Sequence, residues 1–308
     1  MTLTLVILAA GIASRYGRLK QLEPVGPMGE ALMDYGLFDA VRAGFTKVVF
    51  VVRPEIEQLM KEHVGNLLGD SIATTFVHQT PDFVPAGFTA GTDRTKPWGT
   101  AHALLTAADQ VGEVFAVSNA DDFYGRQAYE ALGQQLRGVE TSPQPTYFLV
   151  GYELQHTLSP FGGVSRALCR YDENGFLTQL VEVHDIAQGK QGILGTTADG
   201  AKLELAGSDI VSMNLWGLTT DVFSPLQRQF ERFLSEGPAD HEAEFLIPTA
   251  LGDQLAQRGI RIRVLRTEDD WMGMTFREDR PNVAARIQDL VNRGLYPHDL
   301  TTRFSNQS

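Results

Sequence analysis

The sequence predicts an α/β fold in which a largely parallel sheet is covered by helices on both faces. Two observations predict it. Up to about residue 125, short apolar strands such as the run KVVFVV at 47–52 alternate with amphipathic helices. Beyond about residue 145, the strand patterns are separated by short polar turns, which are typical of antiparallel pairing. We therefore expect a doubly wound first half followed by an antiparallel second half.

In the first half, each predicted strand is followed by a loop and a helix. The first strand spans residues 3–8 and runs into a glycine-containing loop at 11–17. A helix with its apolar face at Leu32, Leu37 and Val41 follows and ends at Gly44. The pattern then continues with strands at 47–52, 73–78 and 114–118 and with helices at 55–68 and 101–108.

The second half begins with three predicted strands, at 147–152, 164–171 and 176–182. The last two are joined by the turn Asp-Glu-Asn-Gly at 172–175. Further on, the pattern predicts helices at 220–234, 245–258 and 282–293 and a strand at 261–265, with Asp221 as a candidate N-cap. Residues 303–308 are expected to form a frayed tail.

Composition narrows the class of protein. The 308 residues are 43% apolar and carry a formal net charge of −12, which argues against a nucleic-acid binder because a phosphate-tracking surface needs clustered cations. No apolar run approaches the roughly 20 residues of a membrane span, and the N-terminus predicts a strand and not a signal peptide. Cys169 is the only cysteine, which excludes an internal disulfide and favours a cytoplasmic protein.

The loop after the first strand carries the most informative pattern, LAAGIASRYGRLKQL at 8–22. Small residues and glycines expose backbone N–H groups that can surround an anion, and Arg15 and Lys20 add two cations. A polyphosphate fits such a loop because Arg offers a planar fork and Lys a compact charge. The pattern matches neither the P-loop nor the Gly-x-Gly-x-x-Gly motif. By itself it is equally typical of an ordinary strand-to-helix turn with surface cations.

The string L-A-A-G-x-A-S-R-x-G-x-x-K resembles the signature loop of the sugar-phosphate nucleotidyltransferases, the pyrophosphorylase family that joins a nucleoside triphosphate to a sugar 1-phosphate. The resemblance implies a Rossmann-like doubly wound mixed sheet with an antiparallel sugar-side subdomain. It implies one domain over 1–308, divided into a nucleotide-binding half at 1–130, a sugar-phosphate half at 131–270 and a C-terminal helix and tail at 271–308. Arg15 and Lys20 would stabilise the attacked α-phosphate, and the other nucleotide-binding residues in the loop would be Leu8, Ala10, Gly11 and Ser14.

A second match is Gln79 after the strand at 73–78, together with Gly99 and Thr100 in the segment KPWGTAHAL at 96–104. In the family such residues read a pyrimidine base. A side-chain amide can pair with the N3–H and O4 of uracil or thymine, so UTP or dTTP is the expected nucleotide. The alternative is that Gln79 is a surface residue and Thr100 a helix N-cap.

The third match is the segment SNADDFYG at 118–125, at the end of a buried strand where open α/β sheets bind ligands. Hard carboxylate oxygens suit Mg²⁺, which takes one or two carboxylates plus substrate phosphates. The resemblance assigns Asp121 to the Mg²⁺ ligand and catalytic aspartate and places Asn119 beside the substrate. The alignment could shift by one to Asp122, whose alternative role is to cap a helix near Phe123.

The matches on the acceptor side are thinner. By resemblance, Gly163, Glu182 and Asn214 would contact the sugar phosphate. Many members place a lysine directly after this glutamate, whereas this chain has Val183. Arg166 and His184 are the candidate replacements.

The family's second metal-binding aspartate also has no clean equivalent, because Gly273 occupies its expected place. Asp270 and Asp279 are the candidates for that ligand. Thr275 and Arg280 are further candidates for a phosphate contact.

The predicted function is Mg²⁺-dependent nucleotidyl transfer from UTP or dTTP to a sugar 1-phosphate, without nucleic-acid or membrane partners. Two alternatives stay open: cytidylyl transfer to a non-sugar phosphate, and a non-catalytic nucleotide-sugar-binding regulatory protein. The sequence names neither the acceptor sugar nor the oligomeric state, and a homo-oligomer is compatible with it. Because the net charge of −12 opposes anionic substrates, affinity has to arise from a few local cations and a bound metal.

Overall fold

The computed structural model describes residues 2–11, 20–90, 94–139, 142, 144–190, 192–197, 199–237 and 243–304. Within them the chain forms an 11-stranded mixed sheet and a separate two-stranded ribbon. The strands of the large sheet are β1 (Thr4–Leu8), β2 (Lys47–Val52), β3 (Ala73–His78), β4 (Val114–Asn119), β6 (Thr146–Glu153), β7 (Val164–Tyr171), β8 (Leu177–Gly189), β9 (Gly192–Thr197), β10 (Lys202–Leu205), β11 (Ile210–Thr219) and β12 (Arg261–Arg266). The ribbon pairs β5 (Asp122–Phe123) with β13 (Met272–Gly273).

The parallel part of the sheet has the strand order β3-β2-β1-β4, and all three of its pairings are parallel. The next strand, β11, is antiparallel to β4 and pairs also with β6 and β7. From β7 the sheet continues antiparallel through β8, β9 and β10, while β12 adds in parallel to β6. The predicted mixed α/β fold with a doubly wound first half and an antiparallel second half is therefore confirmed.

Helices cover both faces of the sheet. One face carries α1 (Leu32–Arg42), α2 (Glu57–Leu68), α4 (Arg126–Arg137), α7 (Arg280–Asn292) and α8 (Thr301–Phe304), and the other carries α3 (Thr100–Thr106), α5 (Phe223–Ser235) and α6 (Ile247–Ala256). Along β1, Leu5 and Ile7 belong to the core of the first face, whereas Val6 belongs to the core of the second. Burial on both faces explains why the parallel strands are continuously apolar.

Several element boundaries differ from the prediction. The strand predicted at 176–182 continues to Gly189, and β9 and β10 lack a clear sequence signal because their residues are largely polar or small. Asp221 does not cap α5: the helix begins at Phe223, and the Asp221 carboxylate accepts a hydrogen bond from the Thr219 hydroxyl at 3.1 Å. The frayed tail predicted from residue 303 is wrong for Phe304, which is buried in α8.

No helix of the described residues is long and apolar enough to cross a membrane.

Candidate active site

Two cavities open side by side at the carboxyl ends of the central strands. The parallel-side cavity, of about 360 Å³, is lined by residues that follow β1, β3 and β4 and by the start of α3. The antiparallel-side cavity, of about 330 Å³, lies over β7, β8 and β11. The two share part of their lining, namely Lys20, Thr100, Asn119, Asp121 and Leu246. They are therefore two ends of one cleft.

Lys20 and Asp121 form an ion pair at the junction of the two cavities. The Lys20 Nζ and Asp121 Oδ2 atoms are 2.5 Å apart, and the side chains keep 17% and 32% of their exposure. Lys20 opens the short 3₁₀ turn Lys20–Leu22, and Asp121 lies just beyond the end of β4. The pair places one cation and one carboxylate where ligands in both cavities can reach them.

The Gln21 side chain fixes the backbone just after β1. The Gln21 amide nitrogen donates to the carbonyl oxygens of Ala9 at 3.1 Å and Gly11 at 3.0 Å. Leu8, Ala10 and Gly11, which the resemblance names as nucleotide-binding residues, line the parallel-side cavity. The predicted phosphate-binding residues Ser14 and Arg15 lie outside the described residues.

Gln79 is buried at the end of β3 and faces the same cavity. Its amide nitrogen donates to the Gly99 carbonyl oxygen at 2.9 Å. Gly99 has a φ of +103°, and a Cβ there would lie 2.6 Å from the Phe245 carbonyl oxygen, so only glycine fits this position. Thr100 is the first residue of α3 and not its N-cap; its hydroxyl accepts a hydrogen bond from the Ile247 N–H at the start of α6.

Asp121 and its neighbour Asp122 differ in environment. Asp122 lies in β5, and α4 begins four residues later at Arg126 with Gly125 as its N-cap, so Asp122 does not cap that helix. Its carboxylate is buried and accepts hydrogen bonds from the Asn119 amide at 2.9 Å and the Tyr124 hydroxyl at 3.2 Å. Burial, followed by the negative charge of Asp121, raises the pKa of Asp122 to about 7. Asp121 is the more accessible of the two carboxylates.

Asn214 connects the two halves of the cleft. Its amide nitrogen donates to the Asn119 side-chain oxygen at 2.8 Å, and its own side-chain oxygen accepts from the Trp216 indole N–H at 2.9 Å. The residue has a φ of +66° and lies at an irregularity of β11 between Ser212 and Trp216. Such bulges redirect a side chain out of the regular alternation.

Arg166 and Glu182 line the antiparallel-side cavity on the neighbouring strands β7 and β8. The Arg166 guanidinium donates to the Ser165 and Thr157 carbonyl oxygens at 2.8 and 2.6 Å and lies 5.0 Å over the Trp271 ring. Burial lowers its pKa to about 10, so it stays charged at neutral pH, and burial also raises the pKa of Glu182.

Of the two candidate replacements for the missing lysine, only Arg166 reaches the cavity. His184 is exposed, contacts the Ser165 hydroxyl at 3.0 Å and does not line the cavity.

One predicted acceptor-side residue and both candidates for the second metal ligand line neither cavity. Gly163 lines neither cavity and instead packs against the Asp185 backbone, 3.0 Å from where its Cβ would be. Asp270 pairs with Arg286 at 3.0 Å, and Asp279 accepts from the Phe276 N–H.

Of the two candidates for a phosphate contact, Thr275 and Arg280, only Thr275 lines a cavity of the cleft. Arg280 pairs with Glu23 at 2.8 Å, away from the cleft, whereas Thr275 does line the antiparallel-side cavity. At the position expected for the second aspartate, a Cβ on Gly273 would approach Asp122 Oδ1 to 2.7 Å, so a carboxylate has no room there.

Several lining residues carried no sequence signal. Glu244 forms an ion pair with Lys96 at 3.6 Å beside the parallel-side cavity, and Trp271 underlies Arg166. Lys96 precedes the Gly99 turn and could have been proposed from it. Glu244 could not, because about 145 positions separate it from Gly99 in the sequence.

The donor set fits a hard metal ion bound mainly by its substrate. The described residues contain no group of three or more His, Cys, Asp or Glu side chains arranged to hold a metal. One accessible carboxylate, Asp121, faces the junction. This suits Mg²⁺, which keeps one or two protein carboxylates and completes its shell with phosphates and water.

The cleft lies beyond the carboxyl ends of a doubly wound sheet, where open α/β sheets bind their ligands, and a lysine and an aspartate lie at its centre. The chain belongs to the nucleotidyl transferase family, whose model matches residues 5–230. No curated protein sequence matches the chain.

Solved structures of similar fold include three nucleotidyltransferases. A UDP-glucose pyrophosphorylase complexed with UDP-glucose matches with a TM-score of 0.62 and 18% identity, over 94% of this chain and 99% of that one. The inositol-1-phosphate CTP transferase from T. maritima matches with a TM-score of 0.59 and 14% identity, over 93% and 96%. A putative glucose-1-phosphate thymidylyltransferase from Bacillus anthracis in complex with a sucrose matches with a TM-score of 0.58 and 14% identity, over 94% and 96%. At these identities the likeness concerns the fold.

Proposed function

We propose that the protein joins UTP or dTTP to a sugar 1-phosphate, giving a nucleotide-sugar and pyrophosphate. The observation that supports this most strongly is the Lys20–Asp121 pair at the junction of two cavities of different chemistry. The parallel-side cavity offers a buried amide and close-approaching backbone for a base. The antiparallel-side cavity offers a guanidinium, a carboxylate and an amide for a phosphorylated sugar.

The proposed reaction is in-line attack of an acceptor phosphate oxygen on the α-phosphorus of the nucleotide. A phosphate monoester is already a nucleophile at neutral pH, so no general base is needed. Alignment of the two substrates and neutralisation of charge therefore supply the catalysis. Lys20 and the motif residue Arg15 would stabilise the α-phosphate and the leaving pyrophosphate.

Asp121 is the residue proposed to hold Mg²⁺, together with phosphate oxygens of the nucleotide. The ion would supply charge neutralisation at the phosphates. Asp121 is paired with Lys20 at the same junction, so the cation and the proposed metal ligand lie side by side.

On the acceptor side, we propose that Arg166 binds the phosphate of the sugar 1-phosphate. It would replace the lysine that many family members have at the position of Val183. Its guanidinium is fixed by two backbone carbonyls and the Trp271 ring, which leaves it preorganised for an anion. Glu182 and Asn214 would meet sugar hydroxyls.

The proposal can be tested by measuring pyrophosphate release for each pairing of five nucleoside triphosphates with several sugar 1-phosphates. We expect turnover with UTP or dTTP in the presence of Mg²⁺ and its loss with a chelator. Asp121→Asn should lower turnover by about 10³-fold. Asp199→Asn, in an exposed turn, is the matched control and should retain it.

Nucleotide binding without turnover on any acceptor would contradict the proposal. Thermal-shift measurements with UTP and Mg²⁺ would then identify a nucleotide-sugar sensor, which is stabilised by ligand but performs no chemistry.

A further inference from the structure

His102 is buried in the first turn of α3 behind Gln79. It has no exposed surface, and its ring lies 4.9 Å from Phe230 and 5.7 Å from Phe83. It lines neither of the two cavities. Its polar atoms must therefore be explained by contacts inside the protein.

The tautomer of His102 is fixed by a backbone carbonyl. The His102 Nε2 atom lies 2.7 Å from the Phe83 carbonyl oxygen, which can only accept, so Nε2 carries the hydrogen. Burial lowers the pKa of His102 to about 4, so the ring is neutral at physiological pH. The other ring nitrogen, Nδ1, is consequently an acceptor.

The Gln79 amide is in turn fixed by two acceptors. Its Nε2 atom lies 3.0 Å from His102 Nδ1 and 2.9 Å from the Gly99 carbonyl oxygen, so both amide hydrogens are used. A flipped amide would place its oxygen against two acceptors. The Gln79 Oε1 atom has no hydrogen-bond partner among the described residues, and Gln79 lines the parallel-side cavity.

We infer that His102 is a specificity-determining residue that locks Gln79 with its oxygen toward the base, so that the cavity selects uracil or thymine through their N3–H. This inference rests on the proposed function, because it names how the nucleotide of that reaction is chosen. Cytosine presents a lone pair at N3, which the Gln79 oxygen would repel. An unlocked amide could rotate and offer its NH₂ group to that lone pair.

Three variants of His102 distinguish its hydrogen bonds to Phe83 and Gln79 from its packing against the neighbouring rings. In His102→Asn the side-chain oxygen can replace Nδ1 as the acceptor for Gln79. In His102→Gln the amide can replace Nε2 at the Phe83 carbonyl oxygen instead, and His102→Leu removes both contacts. We expect the ratio of kcat/KM for UTP over CTP to fall by about tenfold in the Gln and Leu variants. The Asn variant should keep it within about threefold of the wild type.

Equal loss of selectivity in all three variants, or none in any, would overturn the inference, as would a wild-type preference for CTP. Binding of UTP and CTP without acceptor, measured by calorimetry on the same variants, keeps the two proposals distinguishable. A protein that binds UTP selectively through His102 without turnover sustains this inference and refutes the reaction. Turnover that stays selective for UTP in all His102 variants sustains the reaction and refutes this inference. Absence of nucleotide binding refutes both.

A measurement on the unmodified protein removes dependence on variant folding. Nitrogen NMR of ¹⁵N-histidine-labelled protein should show His102 neutral with its hydrogen on Nε2 from neutral pH down to about pH 5. A hydrogen on Nδ1 would overturn the inference, because Gln79 would then present its NH₂ group to the base.

Discussion

The two cavities of the cleft position their side chains in different ways. On the parallel side, Gln79 directly follows β3 and Asp121 lies two residues past the end of β4, and loops after the strands complete the cavity. On the antiparallel side, Asn214 projects from within β11 at an irregularity of pairing, and Arg166 borders another irregularity between β7 and β8. The first arrangement uses strand ends and the second uses strand distortions.

The difference teaches how one sheet can carry two kinds of site. Strand ends of a parallel sheet meet at a common edge, so their side chains converge without distortion of the sheet. Antiparallel strands have no such common edge, and in β11 an irregularity of pairing turns Asn214 toward the cleft. The φ of +66° at Asn214 is the local cost of that arrangement.

The largest expected loss of activity comes from a substitution at the junction, where Lys20 lines both cavities. Lys20→Ala should lower kcat/KM by about 10³-fold for nucleotide and acceptor alike, because the cation would act in the transition state that both substrates share. Steady-state kinetics with each substrate varied in turn measures it. Lys202→Ala, on the exposed edge strand β10, is the control and should leave both values unchanged. An effect on kcat/KM for only one of the two substrates would contradict the proposal that Lys20 acts on both.

Arg166→Ala separates the two sides. We expect KM for the sugar 1-phosphate to rise by about 50-fold while KM for the nucleotide stays within about twofold, because a fixed guanidinium is lost from one cavity only. Arg166→Lys should recover part of the loss. Arg170→Ala, on the same strand and paired with Asp209 at the surface, is the matched control. A rise in KM for the nucleotide as well would contradict the proposed division of the cleft.

The sequence predicted the parallel side more completely than the antiparallel side, for a physical reason. Gln79 and Asp121 lie just past the ends of apolar runs, and Gly99 lies in the turn before a predicted helix, so all three positions are visible in the sequence. Whether a side chain of β11 faces the cleft depends on a bulge, and a shift of one residue reverses its direction. Asn214 and Glu182 could therefore be named only by resemblance.

The same reasoning explains what was missed. His102 carries no recognisable sequence pattern, because the role proposed for it depends on the Phe83 carbonyl oxygen, a contact that no spacing reveals. The choice of Arg166 over His184 likewise required the structure, since both lie on strands beside the cavity. Residues that act through a neighbour in space leave no local pattern.

Asn214 tests whether the bulge on the antiparallel side is a backbone requirement. Asn214→Gly should retain the left-handed conformation, whereas Asn214→Ala adds strain at a φ of +66°. We expect the alanine variant to be less stable than the glycine variant by about 1 kcal/mol in urea unfolding. Equal stability of the two variants would show that the conformation relaxes on substitution.

The smallest effect concerns the stability of the parallel side. His63 on α2 lies 2.8 Å from the Asp34 carboxylate, and this hydrogen bond raises the pKa of His63. A raised histidine pKa means that the pair stabilises the fold fully below about pH 6.5 and loses its effect as the pH rises through the folded pKa. His63→Gln should therefore cost about 0.5–1 kcal/mol at pH 5.5 and less at pH 8.5, measured by urea unfolding. His156→Gln, at an exposed site, should show no such difference.

The position of β11 also governs how the molecule is assembled. This strand pairs with β4, β6 and β7, so it joins the first half of the chain to the second along one backbone ladder. A fragment ending near residue 130 would leave the edge of β4 unpaired, with apolar residues on both faces, and such edges aggregate. The first half of the chain is therefore expected not to fold as an independent module. On the ribosome, the sheet can close only after residue 219 has emerged, which makes β11 the step at which folding commits.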